Sequence, residues 1–193
     1  FAPLIQMEHE AIKNKSLEVL ACILEYGSVE VFNLEHNLSC LSDQLRMVNN
    51  KLIKTGLSNE LSLISRYYGG VYFSYKQAVE IDIILETIHK SVPSNHRDLY
   101  LAALLSTASD IVDTVGKHFA QPIKARDAKG KIKSTVYNKA VKDKTIDVIA
   151  LYKDWLLKYK SLTKNDLCHS TMQGDFENCL RNLPDNVRTV YAD

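Results

Sequence analysis

Apolar residues return at three- and four-residue intervals through most of the first half of the chain, and that period commits the half to helices rather than strands. They run through Leu4, Ile5, Ile12, Leu17, Leu20 and Leu24, then through Val31, Leu34, Leu38, Leu41, Leu45, Val48, Leu52 and Ile53. The spacing predicts two long helices, parted near Gly27 and closed by Gly56, since glycine takes a left-handed cap at no steric cost. Ser74 stands three residues before Gln77, with Val79, Ile83, Ile84 and Ile88 beyond. That is capping-box spacing, and it predicts a third helix ended by Pro93. Ser94 is positioned to cap a fourth, through Leu99, Ala103, Leu104, Ile111 and Val115, stopped by Gly116.

The second half is less regular. From Lys117 to Lys133 the period lapses, Pro122 and Gly130 appear, and lysines alternate with small or polar residues, as in an exposed basic loop. Helical spacing resumes from Ile146 through Ile149, Leu151, Trp155 and Leu156 and ends near Tyr159. Two strand candidates, 167–172 and 188–192, flank a helix candidate over 174–183. The expected fold is therefore mainly α with a small β part. A helical region spans 1–165 and includes the basic loop 117–133; a strand-helix-strand piece spans 166–193.

A chain of 193 residues, 46% of them hydrophobic, can bury a substantial core. No apolar run reaches the roughly 18 residues a membrane span requires, and no basic-then-apolar leader opens the chain, so a cytoplasmic protein is expected. Cys22, Cys40, Cys168 and Cys179 never form the close pairs of a zinc site, and the six histidines fall singly. No metal is expected. The seven glycines build no phosphate-cradling loop, and Ser106 and Ser109 sit inside a helix rather than on a nucleophile elbow.

The net charge of +1 conceals a division along the chain. Residues 117–164 carry thirteen Lys and Arg against four Asp, a surplus of nine, which leaves a deficit of eight elsewhere. Such a segment suits a polyanionic partner. Lysine-rich helix faces are also common as plain solvated surface, so charge alone leaves both readings open.

Three stretches carry more than composition. The first is Arg66-Tyr67-Tyr68-Gly69-Gly70-Val71-Tyr72-Phe73-Ser74-Tyr75-Lys76-Gln77-Ala78, with Ile81-Asp82 beyond. The second runs from Ala102 to Asp110 and from Asp113 through Gly116-Lys117-His118-Phe119-Ala120-Gln121-Pro122 to Lys124. The third is Gln173-Gly174-Asp175-Phe176-Glu177, followed by Val187-Arg188-Thr189-Val190-Tyr191-Ala192-Asp193. In this order, from about Arg66 to Asp193, the chain resembles the bacterial adenine-specific DNA methyltransferases whose catalytic motif is Asp-Pro-Pro-Tyr.

The resemblance implies that Asp193 is the first residue of that tetrapeptide, an acid that accepts hydrogen bonds from the exocyclic amine of a flipped adenine. It implies that Asp175 and Phe176 hold the adenine of S-adenosylmethionine, one as acceptor and the other as a ring cover. The middle of the chain would be the target-recognition region for double-stranded DNA, with Lys117, Lys124, Arg126, Lys129, Lys131 and Lys133 neutralising phosphates. Two departures matter: the family's glycine-rich cofactor loop occurs nowhere here, and Pro-Pro-Tyr does not follow Asp193. The expectation is that this chain alone transfers no methyl group. The alternative is a helical nucleic-acid-binding module without enzymatic activity, and a third reading is a helical protein-interaction domain.

Overall fold

The computed structural model describes residues 1–31, 41–114, 121–162, 172–185, 187 and 190. The chain divides into two units, Phe1–Ser161 and Leu162–Asp193. The first holds eight of the helices described below, and the second holds one.

Helix α1 (Ala2–Lys13) and α2 (Leu17–Tyr26) replace the single helix expected through Leu24. Between Ile12 and Leu17 every residue is polar, and Lys15 takes a left-handed φ of 53° while the Ser16 N–H turns back to the Ala11 carbonyl at 2.8 Å. Four residues with nothing to bury let the chain reverse there. Helix α3 (Ser42–Thr55) ends as expected at Gly56, whose φ of 61° is the left-handed cap. The upstream part of that predicted helix, 32–40, lies outside the described residues.

A 3-10 turn (Glu60–Ser62) leads into the short α4 (Leu63–Tyr67) and then into α5 (Tyr75–Ser91). Here the capping box forms in full: the Gln77 N–H donates to Ser74 Oγ at 3.1 Å, and the Ser74 N–H donates to Gln77 Oε1 at 2.9 Å. Helix α6 (Ser94–Ile111) has Pro93 rather than Ser94 at its cap, with no side-chain cap bond. It stops at Ile111, short of the expected Val115, because Val112 turns extended and the Asp113 N–H bonds the Tyr72 carbonyl at 2.7 Å. Helix α7 (Val136–Lys144) was not signalled by periodicity, and α8 (Val148–Ser161) answers the spacing from Ile146 onward.

Helix α6 packs on α5 and α8, α1 on α2 and α3, and α7 on α2 and α1. Three apolar clusters result. Leu4, Ile23, Leu41, Leu45 and Tyr75 form one; Phe73, Ala78, Ile81, Ile111 and Val148 another; Ala11, Leu20, Ala21, Ala125 and Val136 the third. The loop into α5 joins the first two, since Phe73 and Tyr75 enter different clusters. Tyr75 is fully buried and its hydroxyl donates to the Gly27 carbonyl at 2.7 Å. Gly70, at φ 81°, must be glycine: a Cβ there would lie 2.7 Å from the Tyr75 ring.

In the second unit α9 (Phe176–Arg181) is shorter than the helix expected over 174–183. No strand forms among the described residues, only isolated bridges between Gly69 and Phe73, Thr114 and Pro122, and Arg126 and Ile132. Of the two predicted strands, Met172 and Val190 are described and neither pairs; the remainder lies outside the described residues. The fold is mainly helical, and the strand-helix-strand expectation finds no support. No helix among the described residues is long and apolar enough to cross a membrane.

Candidate nucleic-acid interface

The segment expected as an open basic loop is a pinned hairpin over its described part. Asp127 accepts the Gly130 N–H at 3.0 Å through its carbonyl, its own N–H donates to the Lys131 carbonyl at 2.9 Å, and the Lys133 N–H reaches the Ala125 carbonyl at 3.0 Å. Gly130 takes a φ of 77° with open space around it, so the turn needs its backbone freedom and not its small size. Asp127 Oδ1 also accepts the N–H groups of Lys129 and Lys131, which fixes the tip from inside. These bonds occupy the backbone of a segment that sequence reasoning left unpaired.

The hairpin is anchored on one side and charged on the other. Ile123 and Ala125 are buried, Ile132 packs on the third cluster, and the extended chain sends their neighbours the opposite way. Lys124, Lys129, Lys131 and Lys133 are consequently exposed. Arg126 behaves differently. Its guanidinium sits between Glu18, 2.7 Å from Nη2, and Glu25, 3.4 Å from Nε, while its backbone N–H donates to Glu25 Oε1 at 3.0 Å. The hydrogen bond it donates to Glu18 Oε2, ahead of the other charges nearby, holds its pKa above the ordinary arginine value. A phosphate approaching Arg126 would meet two carboxylates, so this residue ties the hairpin to α2 instead of facing outward.

Lys117 lies outside the described residues. So does Asp193, and the six cations expected to act as a group resolve into four exposed lysines, one latch and one undescribed residue. Sequence reasoning also passed over Lys139 and Lys142, which stand exposed on α7 three residues apart. Their spacing was legible, but the helix that gives it meaning was not.

The first resembling stretch lies in the core of the first unit. Glu8 of α1 and Lys144 at the end of α7 form a buried ion pair at 3.2 Å, with side-chain exposures of 4% and 1%. Lys144 Nζ donates to the carbonyls of Gly70 at 2.7 Å and Phe73 at 3.2 Å, and Glu8 Oε2 accepts the Tyr75 N–H at 2.8 Å. Burial pushes the Glu8 carboxyl up; Lys144 and the Tyr75 N–H pull against that shift, and the buried Asp113 adds to it. Gln77 Nε2 bonds the carbonyls of Asp143 at 2.8 Å and Ile146 at 3.2 Å. The Tyr72-Phe73-Ser74-Tyr75 run thus cross-braces α1, α5 and α7, and these side chains are committed to holding the domain together. Asp82 is committed likewise: its two oxygens accept the Ile64 and Ser65 N–H groups and the Ser65 hydroxyl at 3.0, 2.8 and 2.6 Å.

In the second unit Asp175 caps α9, its Oδ1 accepting the N–H of Glu177 at 3.0 Å and of Asn178 at 3.3 Å. Phe176 is 58% exposed, so its ring is uncovered within the described residues rather than packed in a core. An acid acceptor and an open aromatic face therefore stand at consecutive positions. Among the described residues no three His, Cys, Asp or Glu side chains come together as a metal site.

Comparison with family models, with characterised proteins and with solved structures finds no match to this chain.

Proposed function

We propose that this chain is the DNA-recognition part of an adenine-specific DNA methyltransferase, and that its hairpin grips duplex phosphates. The methyltransferase assignment rests on the resemblance of the three stretches. The phosphate role rests on one observation: a hairpin fixed from within by Asp127 and from behind by Arg126 presents Lys124, Lys129, Lys131 and Lys133 to solvent. Charges held on a preformed backbone lose less entropy on binding than the same charges on a loose loop. Four phosphates neutralised release their counterions, giving affinity that falls steeply with salt.

In this reading Asp175 and Phe176 hold the adenine of S-adenosylmethionine, which supplies the methyl group, and their adjacency with the ring exposed fits that end of the cofactor. Asp193 accepts hydrogen bonds from the exocyclic amine of the flipped adenine and so keeps electron density on that nitrogen. A helical binding module without enzymatic activity would use the hairpin in the same way. Methyl transfer to duplex adenine, measured with S-adenosylmethionine as donor, separates the two.

The phosphate role is tested by fluorescence anisotropy with a labelled duplex across about 50 to 200 mM salt. Replacing Lys124, Lys129, Lys131 and Lys133 together by Ala is expected to flatten the slope of log K against log salt by about 3.6, at about 0.9 per phosphate contact. A slope unchanged in the fourfold variant would end the proposal.

A further inference from the structure

We infer that the hairpin is only half of the DNA-contacting surface, and that the outward face of α7, through Lys139 and Lys142, is the other half. The inference rests on the phosphate-binding reading above and extends it to residues that reading does not use. Helix α7 follows the hairpin without slack, because the Val136 N–H bonds the Lys133 carbonyl at 3.1 Å. Val136 is 1% exposed and Tyr137 packs beside it, in the same apolar cluster that holds Ala125 and Ile132 of the hairpin. Hairpin and helix are therefore anchored on one patch of core.

With about 3.6 residues per turn, the sides of α7 can be assigned from burial. Val136, Tyr137, Asp143 and Lys144 mark the inward side. Asn138 and Lys142 fall opposite and Lys139 flanks them at the edge, and all three are exposed. Residues three apart on a helix are neighbours, so the two ammonium groups share a face. Among the described residues neither lysine is ion-paired, whereas Arg126, Lys144 and Arg66 each meet a carboxylate. The cations of this region thus fall into two kinds: those paired with Glu8, Glu18 and Glu25 hold the structure, and those without a carboxylate run exposed from the hairpin onto α7, Lys133 among them with its Nζ donating to the Lys124 carbonyl at 2.9 Å. A duplex backbone is an extended row of charges, and a two-element surface follows it further than a single turn does.

Salt titrations of duplex affinity on the whole chain test this with three variants: Lys129→Ala with Lys131→Ala, Lys139→Ala with Lys142→Ala, and Lys54→Ala on α3 as a distant exposed control. Each double variant is expected to flatten the slope by about 1.8, and the control to leave it as it is. Circular dichroism checks that α7 keeps its helix. If the hairpin pair flattens the slope and the α7 pair does not, the inference falls and the hairpin reading stands. If neither pair changes it, both fall.

Discussion

Replacing Lys144 by Met would remove the cation that makes the buried Glu8 tolerable while keeping much of the side chain's length and apolar stem. In the wild-type chain Nζ sits 3.2 Å from Glu8 Oε1 and donates to two main-chain carbonyls, all at about 1% side-chain exposure. Breaking a buried pair from one side costs about 3–5 kcal/mol, because the remaining charge loses its counter-ion without gaining water; Glu8 would keep only the Tyr75 N–H. Small domains hold only about 5–15 kcal/mol, so the loss is a large share of the total. Urea denaturation followed by the fluorescence of Trp155, the one tryptophan, and by circular dichroism measures it. The loss should also depend on pH. Burial raises the folded-state pKa of Glu8 above 4.5, so the folded chain binds the proton more tightly than the unfolded one and stability falls as pH rises through that window. Without Lys144 the upward shift grows, and the penalty is smaller in acid, where Glu8 is protonated, than at neutral pH. Adding Glu8→Gln should return part of the loss. A penalty under about 1 kcal/mol, equal in acid and at neutral pH, would refute this reasoning.

Gly130→Ala forces a side chain into the left-handed region at φ 77°; a cost of about 1–2 kcal/mol is expected in thermal unfolding, with weaker duplex binding, and no effect on either would show that the turn is not held. Ser74→Ala removes one arm of the capping box and should cost about 0.5–2 kcal/mol by the same denaturation assay. Asp175→Ala should cost about 1 kcal/mol of α9 cap by the same denaturation assay; under the proposed cofactor role it should also weaken S-adenosylmethionine binding in calorimetry, and unchanged cofactor affinity would reduce Asp175 to a cap.

What the sequence made legible was whatever rests on short-range chemistry. Gly56 and the Ser74–Gln77 box act within a few residues, and both formed where their spacing placed them. The break at Lys13–Ser16 was equally local: Leu17, Leu20 and Leu24 repeat at helical spacing but on a different face from Leu4, Ile5 and Ile12, a phase shift that interval counting alone passes over. Helix α7 was invisible because its buried face is made of Val136, Tyr137 and the unusual pair Asp143 and Lys144, and a lysine has no apolar signature. The same blindness affected the charge reading. Counting thirteen cations between 117 and 164 treats them alike, yet Lys144 is sealed in the core and Arg126 is held by two glutamates from α2, more than a hundred residues earlier in the chain. Only tertiary contact tells a structural cation from one offered to a partner.

The central claim, that a preformed basic hairpin meets duplex DNA through its exposed lysines, is most directly tested by amide hydrogen exchange with and without a short duplex at low salt. Slowed exchange concentrated in residues 121–133 and at 138–142, with α5 and α6 unchanged, is the expected result. Protection confined to other elements, with the hairpin amides exchanging at the same rate in both states, would contradict it.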